Sequence, residues 1–276
     1  MQVVSLASGS SGNATLVQTT YDGGLLVDAG ISQRSITQRI SQLGTTPTQL
    51  HGIIVTHEHS DHITSVVALA KRYNLPILAS RGTLHALSVP PSVVTVPLSA
   101  NQSYNIAGMQ VTPIPVSHDA AEPMAIKIHH DSITTVIATD LGMWDETLVS
   151  ACSDADLVVI EANHERERLH MSSYAPHLKL RIASPRGHLD NIQAGLFLAQ
   201  IAQNKRRRTA WLAHLSHEAN TSDLAVRSVR SVLNMHQSAQ YYHTITPLPR
   251  NQHVVWGPAQ RGHQPSLWDD ESPSTP

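Results

Sequence analysis

Three histidines and an aspartate fall within six residues at His57-Glu58-His59-Ser60-Asp61-His62, and no other stretch limits the possible folds so tightly. The apolar run Gly52-Ile53-Ile54-Val55-Thr56 precedes it, and a periodic segment over residues 63–73 follows. That pattern is strand, loop, helix. In an extended segment side chains alternate, so His57 and His59 leave the chain on the same side. Asp61 and His62 come from the turn that opens the helix, and four potential ligands converge on one point. Imidazole nitrogen and carboxylate oxygen suit a zinc-like or manganese-like divalent ion. With 18 histidines in the chain a single one carries little weight. The cluster carries the argument.

The 276 residues are 41% hydrophobic, enough to bury a substantial core. Phe197 is the only phenylalanine, so that core must be built from Leu, Ile, Val and Ala. A formal charge of -2 exerts no global pull on a polyanion. Any nucleic-acid contact must then come from a local basic patch or from bound metal. Cys152 is the single cysteine, which excludes an internal disulfide and fits a reducing compartment. It reads as a small packed residue at a helix end rather than a nucleophile. No run approaches the roughly 18 apolar residues of a membrane span, and residues 1–6 lack a basic region followed by a long apolar core. The expectation is a cytoplasmic protein with no membrane contact.

Further polar residues stand where apolar runs end. Asp28 and Gly30 follow the run 24–27, and Asp28 reads either as a helix cap or as a carboxylate that holds a histidine of the central motif. Ser117-His118-Asp119 closes one strand pattern, Asp140 another, Glu161-Ala162-Asn163-His164 a third and His214 a fourth. Gly187-His188-Leu189-Asp190 opens a strong helix pattern that runs to residue 203. The loop Ser8-Gly9-Ser10-Ser11-Gly12-Asn13 reads as a hairpin turn, with anion binding by its amides as the alternative. Lys205-Arg206-Arg207-Arg208 reads as a solvated loop. Strands followed by helices occur twice, without a long linker or an internal repeat. We therefore expect one α/β domain, residues 1–246, of two packed sheets with outer helices. Residues 247–276 turn to Pro, Gln, Ser and Asp and read as a disordered tail.

The motif at residues 57–62 resembles the HxHxDH signature of the metallo-β-lactamase superfamily, and the later strand-end residues fall in that superfamily's order. The resemblance implies an αββα sandwich with a dinuclear centre along one edge. Carried over by position, His57, His59 and His118 hold one ion, Asp61, His62 and His214 the other, and Asp140 bridges them. Zn2+ and Mn2+ both fit these donors. Residues 5–13, 56–62, 117–121, 161–164 and 186–189 together resemble the bacterial YycJ/WalJ family, which implies a metal-dependent exonuclease acting on DNA from the 5′ end. Where that family has Ser before the asparagine of its fourth motif, this chain has Ala162. Similarity to the phosphodiesterase branch of the superfamily adds Glu161 and His188 as a catalytic pair, with Glu161 keeping His188 protonated against the helix dipole.

In this reading Asp61 orients or deprotonates the nucleophile while remaining a ligand, and His188 protonates the leaving oxygen. Asn163 and His164 support the ligands or touch substrate, and Arg181 and Arg186 steer phosphates. A homodimer would add positive surface that one subunit lacks. Two other classes remain open at the level of sequence. One is a hydrolase of a small substrate, a cyclic phosphodiester or a thioester, on the same site. The other is a metal-stabilised protein that binds nucleic acid without turnover. Fold alone does not choose among them.

Overall fold

A computed structural model describes residues 1–19 and 23–257. The first half of the chain runs β1 (Gln2–Ala7), β2 (Ala14–Gln18), β3 (Gly24–Val27), α1 (Gln33–Gln42), β4 (Leu50–Ile54), α2 (Ser60–Ile63), α3 (Val66–Tyr73), β5 (Ile77–Ala79), α4 (Arg81–Ala86) and β6 (Thr95–Pro97). The second half runs β7 (Tyr104–Ile106), β8 (Met109–Pro115), β9 (Met124–His130), β10 (Ile133–Ala138), α5 (Glu146–Ala151), β11 (Leu157–Glu161), α6 (Arg166–Met171), α7 (Pro176–Ile182), α8 (Asn191–Ile201), β12 (Arg208–Ala213), α9 (Ser222–Met235) and β13 (Tyr242–Pro247). A last strand, β14 (Val254–Trp256), returns to the first sheet. The sheet orders are β14-β1-β2-β3-β4-β5-β6 and β13-β12-β11-β10-β9-β8-β7. In each, antiparallel joints on one side give way to parallel ones, at β3/β4 and at β10/β11.

Alternation along the strands builds the layers. In β11, Leu157 and Val159 face the other sheet, where they join Val3, Leu25 and Ile54, together with Ile126 of their own sheet. Val158 and Ile160 face outward onto a second cluster with Phe197, Leu198, Val229 and Leu233 of α8 and α9. On the far side, Leu26 and Ile53 pack against Ile36 and Ile40 of α1 and Leu69 of α3. Strands buried on both faces must be apolar at nearly every position, which is why they read as continuous runs. The result is the αββα sandwich that the resemblance implied. Among the described residues no helix is long and apolar enough to cross a membrane.

Two sequence expectations change. Residues 248–257 are not a tail. Val254 pairs with Ser5 and Trp256 with Val3 in antiparallel register, while residues 258–276 lie outside the described residues. The basic run 205–208 is not simply solvated either. Arg208 is 1% exposed, and its guanidinium donates to the carbonyl of Cys152 at 2.7 Å and to Asn204 Oδ1 at 2.7 Å, which satisfies the end of α5. Arg206 pairs with Asp156.

Candidate metal centre

The strand-end residues meet at the carboxyl edge of the parallel strands, where open α/β sheets place their sites. Asp28 follows β3, His57 follows β4, Asp140 follows β10, Glu161 ends β11 and His214 follows β12. Asp28, Asp140 and His214 have φ of 60°, 60° and 53°, so each strand ends in a left-handed residue that turns its side chain away from the strand direction. Gly30 is required at its place. A Cβ there would stand 1.6 Å from the carbonyl oxygen of Asp61, in the backbone of the motif loop.

Four overlapping groups of side chains in this cluster have the spacing to hold cations: His57, His59 and His118; His57, His62 and Asp140; Asp61, His62 and His214; and Asp140, Glu161, His188 and His214. His59 Nδ1 lies 3.2 Å from His118 Nε2. His62 Nε2 lies 3.0 Å from Asp140 Oδ2, and His214 Nε2 lies 3.3 Å from Asp61 Oδ2. The sequence reading had assigned seven residues to the centre, and the fold brings all seven together.

Their chemistry fits a cation. His57 Nε2 is fully buried without a hydrogen-bond partner. Asp140 Oδ2 makes no hydrogen bond of acceptable geometry although His62 Nε2 is 3.0 Å away, so the short distance is a facing pair of donor atoms and not a formed bond. Buried polar atoms left in this way are costly unless something positive joins them. Charge is distributed to match. Burial works to raise the pKa of Asp140, but the imidazoles of His214 and His62 overcome it and hold the carboxyl well below its usual range. Burial works to lower His214, yet Asp140, Asp61 and Glu161 push it up to about 10. His57 is displaced the other way, lowered well below the ordinary value by burial and by its neighbour His62.

A ring of hydrogen bonds fixes these side chains. Asp28 Oδ2 accepts from His62 Nδ1 at 2.8 Å and from the Thr56 hydroxyl at 2.9 Å, while Oδ1 accepts from the Thr56 amide. Of the two roles open to Asp28, the geometry is that of the histidine holder, and α1 is capped instead by Ser32. His118 Nδ1 donates to the carbonyl of Gly187 at 3.0 Å. Glu161 is shared more widely than the sequence indicated. Its Oε1 accepts from His188 Nδ1 at 2.9 Å and from His214 Nδ1 at 2.7 Å, and its Oε2 accepts from the amides of Leu141 and Leu189. Although burial opposes ionisation, His188 and the hydrogen bonds bring Glu161 down to about 2.

His188 is not at the helix start. The cap of α8 is Asp190, in a reciprocal box with Gln193, and His188 lies two residues before it. Burial lowers its pKa, Glu161 raises it, and the net direction is up.

Asn163 and His164 are each 3% exposed. Asn163 Nδ2 donates to the carbonyl of His214, which puts it beneath the cluster. Arg181 and Arg186 are exposed at the rim, but both guanidinium groups are engaged, Arg181 with Asp119 and Arg186 with the carbonyl of His118.

The first loop, which reads from sequence as a hairpin turn with anion binding as the alternative, holds histidines of the cluster. Asn13 Nδ2 lies 3.0 Å from His62 Nε2, and the Ser8 hydroxyl accepts from the His214 amide at 2.9 Å. Nothing local in that loop marks a partner 49 or 206 residues away.

Comparison with known proteins shows the family to which the chain belongs. Residues 24–215 match the beta-lactamase superfamily domain. The chain is 36% identical over 233 residues to the exodeoxyribonuclease YycJ of Bacillus anthracis, covering 83% of this chain and 87% of that protein. It is 35% identical over 226 residues to the exodeoxyribonuclease WalJ of Streptococcus pneumoniae, covering 80% and 83%. Among solved structures, the metallo-β-lactamase fold protein YhfI of Bacillus subtilis superposes with a TM-score of 0.68 at 19% identity, over 92% of this chain and 98% of that one. Zn2+-bound PqqB of Methylobacterium extorquens superposes with 0.67 at 15%, over 92% and 99%. At such identities the structural likeness speaks for the fold alone.

Proposed function

We propose that this chain, which belongs to the beta-lactamase superfamily and within it to the YycJ/WalJ family, is a metal-dependent exodeoxyribonuclease that hydrolyses DNA from the 5′ end. The observation that carries this reading is the convergence of seven side chains of ligating type from four separate chain segments on one point, with the His188–Glu161 pair beside it.

His57, His59 and His118 would hold one ion, Asp61, His62 and His214 a second, and Asp140 both; Zn2+ and Mn2+ suit these donors. Such a pair of ions supplies Lewis acidity toward a phosphoryl oxygen and an acidified water at neutral pH.

The side chains account for the proton movements. Asp61, with 22% of its side chain exposed, reaches the open side of the cluster and takes a proton from the attacking water. The water oxygen forms the new bond to phosphorus as the P–O3′ bond breaks. His188, with Nδ1 engaged by Glu161 and its side chain 13% exposed, delivers a proton to the departing O3′. The products are a 3′-hydroxyl and a 5′-phosphate. Asn163 sets the backbone of His214, and His164 supports the same floor. Arg181 and Arg186 stand where the phosphates of a bound strand pass.

The test is a time course on duplex DNA and RNA, each labelled separately at the 5′ and 3′ ends. Protein loaded with Mn2+ or Zn2+ is compared with Asp140→Asn. Stepwise release of the 5′ label from DNA, absent in the variant, is expected. No cleavage of either polymer by metal-loaded protein would overturn the reading.

A further inference from the structure

Beyond His214, on the side away from Asp140, the carboxyl edge opens into a cavity of about 400 Å3 that the scheme above leaves unused. Its walls are the loop that follows His214, the amino end of α9 and residues 248–252 after β13. Because β13 lies next to β12, the cavity continues the edge on which the candidate ligands stand. Its volume is in the range of small-ligand sites. Ser216, Thr221, Asn251 and Gln252 give it polar walls, Arg250 gives it a positive charge, and none of the lining residues is acidic.

Arg250 is seated by the loops around it. Its Nη2 donates at 2.6 Å to the carbonyl of Leu215, the residue after His214. Its stem crosses the first loop at Gly9, where a Cβ would stand 3.3 Å from Arg250 Cγ and where φ is 144°. Only glycine takes that backbone angle freely, and its bare Cα leaves the room in which the arginine lies. Arg39 of α1 ties the two loops together from behind by donating to the carbonyls of Leu6 and Asn251. Nε and Nη1 of Arg250 donate to nothing among the described residues. Burial lowers its pKa, only Tyr174 opposes that, and no carboxylate contributes. Arg181 at the rim, by contrast, is matched by Asp119. A half-buried guanidinium with donors to spare, in a cavity without acid, is the complement of a phosphate.

We propose that this cavity receives the phosphate monoester at the 5′ end of the DNA strand, with the guanidinium of Arg250 as its principal donor, while the adjoining phosphodiester reaches the metal centre. The inference deepens the proposed function and rests on its DNA substrate. Seven ligands at a metal centre do not by themselves distinguish an end from the middle of a strand, whereas a terminal monoester carries close to a second negative charge and a further acceptor oxygen. The first loop has its part in this through Gly9. The amides of Gly9, Gly12 and Asn13 are spent on Asn13 Oδ1, the Gly9 carbonyl and the Asp61 carbonyl, so the loop serves an anion by seating Arg250 and not by its own amides.

The first readout needs no catalysis. Fluorescence anisotropy follows binding of the metal-free full chain to one DNA strand, labelled at its 3′ end and carrying either a 5′-phosphate or a 5′-hydroxyl. The internal phosphates are the same in both, so the ratio of affinities isolates the terminal group. The wild type is expected to bind the 5′-phosphorylated strand more tightly by about tenfold or more, the scale of hydrogen bonds to a charged group. Arg250→Gln should lose most of that preference and Arg250→Lys should keep part of it, with a thermal melt to check each variant. In the second readout, protein loaded with Mn2+ or Zn2+ should show the same preference in kcat/KM on duplex DNA, carried by KM.

Equal affinity of the wild type for the two ends would overturn the proposal, and that comparison stands whether or not Arg250→Gln folds. A preference that survives intact in folded Arg250→Gln would overturn it as well. Metal-loaded protein that cuts neither duplex, while the metal-free chain keeps its preference for the 5′-phosphate, would sink the exonuclease reading and leave this site standing. Cutting of both duplexes with equal kcat/KM would sink the site and leave the exonuclease.

Discussion

Asp28 Oδ2 lies 2.8 Å from His62 Nδ1, with side chains 4% and 0% exposed, so a carboxylate outside the ligand set fixes which nitrogen of His62 faces Asp140 and Asp61. Such partners both orient a ligand and raise its basicity. Asp28→Ala should lower metal affinity by about 10–100-fold. It should also destabilise the stripped protein by about 1–3 kcal/mol, because the Thr56 amide loses its acceptor. Dye competition and a denaturant melt read the two effects separately.

His188→Ala should retain the metal content of the wild type and lose about 10²–10⁴ in turnover. Because the acid must be protonated to act, kcat of the wild type should fall on the alkaline side of the profile. That limb should be missing in the variant. Loss of metal in His188→Ala would instead mark His188 as a ligand.

In the proposed centre a proton and a divalent cation would compete for His62 Nε2 and for His214. His62 is raised well above its ordinary value by Asp140 and Asp28 despite its burial. His214, where Asp140, Asp61 and Glu161 outweigh burial, rises from 6.5 to about 10. Metal uptake near pH 7–8 should therefore release protons, measurable with an indicator dye in weak buffer. The sign for stability of the stripped protein is fixed by the same shift. Stabilisation from the paired imidazolium is complete below 6.5 and is lost as pH rises through about 10. Melting temperature of stripped protein should fall over that window, and metal should restore it.

Burial pushes the Cys152 thiol up to about 12, and the residue is fully enclosed at the end of α5. As the only cysteine, it should resist iodoacetamide at pH 8 in folded protein and react fully in denaturant. Intact mass reads this directly. Rapid alkylation of the native protein would contradict the packing.

Most of the cluster is legible in the sequence because its candidate ligands sit directly after strands, and period-two alternation marks where a strand ends. His57, Asp140 and His214 could be placed from that pattern alone, with the resemblance giving their partners. What the pattern could not give were contacts between loops. The hold of Arg181 on Asp119 spans 62 residues, that of Ser8 on His214 spans 206, and no periodicity links such pairs. β14 escaped for another reason. Its three residues are half-exposed or exposed at the sheet edge, and the polar sequence around them hides a strand made by pairing with β1 rather than by burial. Arg208 was misread because composition counts its charge, while its side chain is used to close the end of a helix.

The left-handed backbone at Asp28, Asp140 and His214 sets stability and function against each other at three single residues. A non-glycine residue in that region costs of order 1–2 kcal/mol relative to a helical or extended one, and the surrounding bonds must hold it. At His214 the Ser8 hydroxyl does so, and at Asp28 the carbonyl of Ile54. Selection for heat resistance alone, blind to metal, should therefore act on Asp140, whose Oδ2 makes no hydrogen bond, and drive it toward glycine or asparagine, while the bonds of Asp28 to Thr56 and of His214 to Glu161 keep those two residues in place.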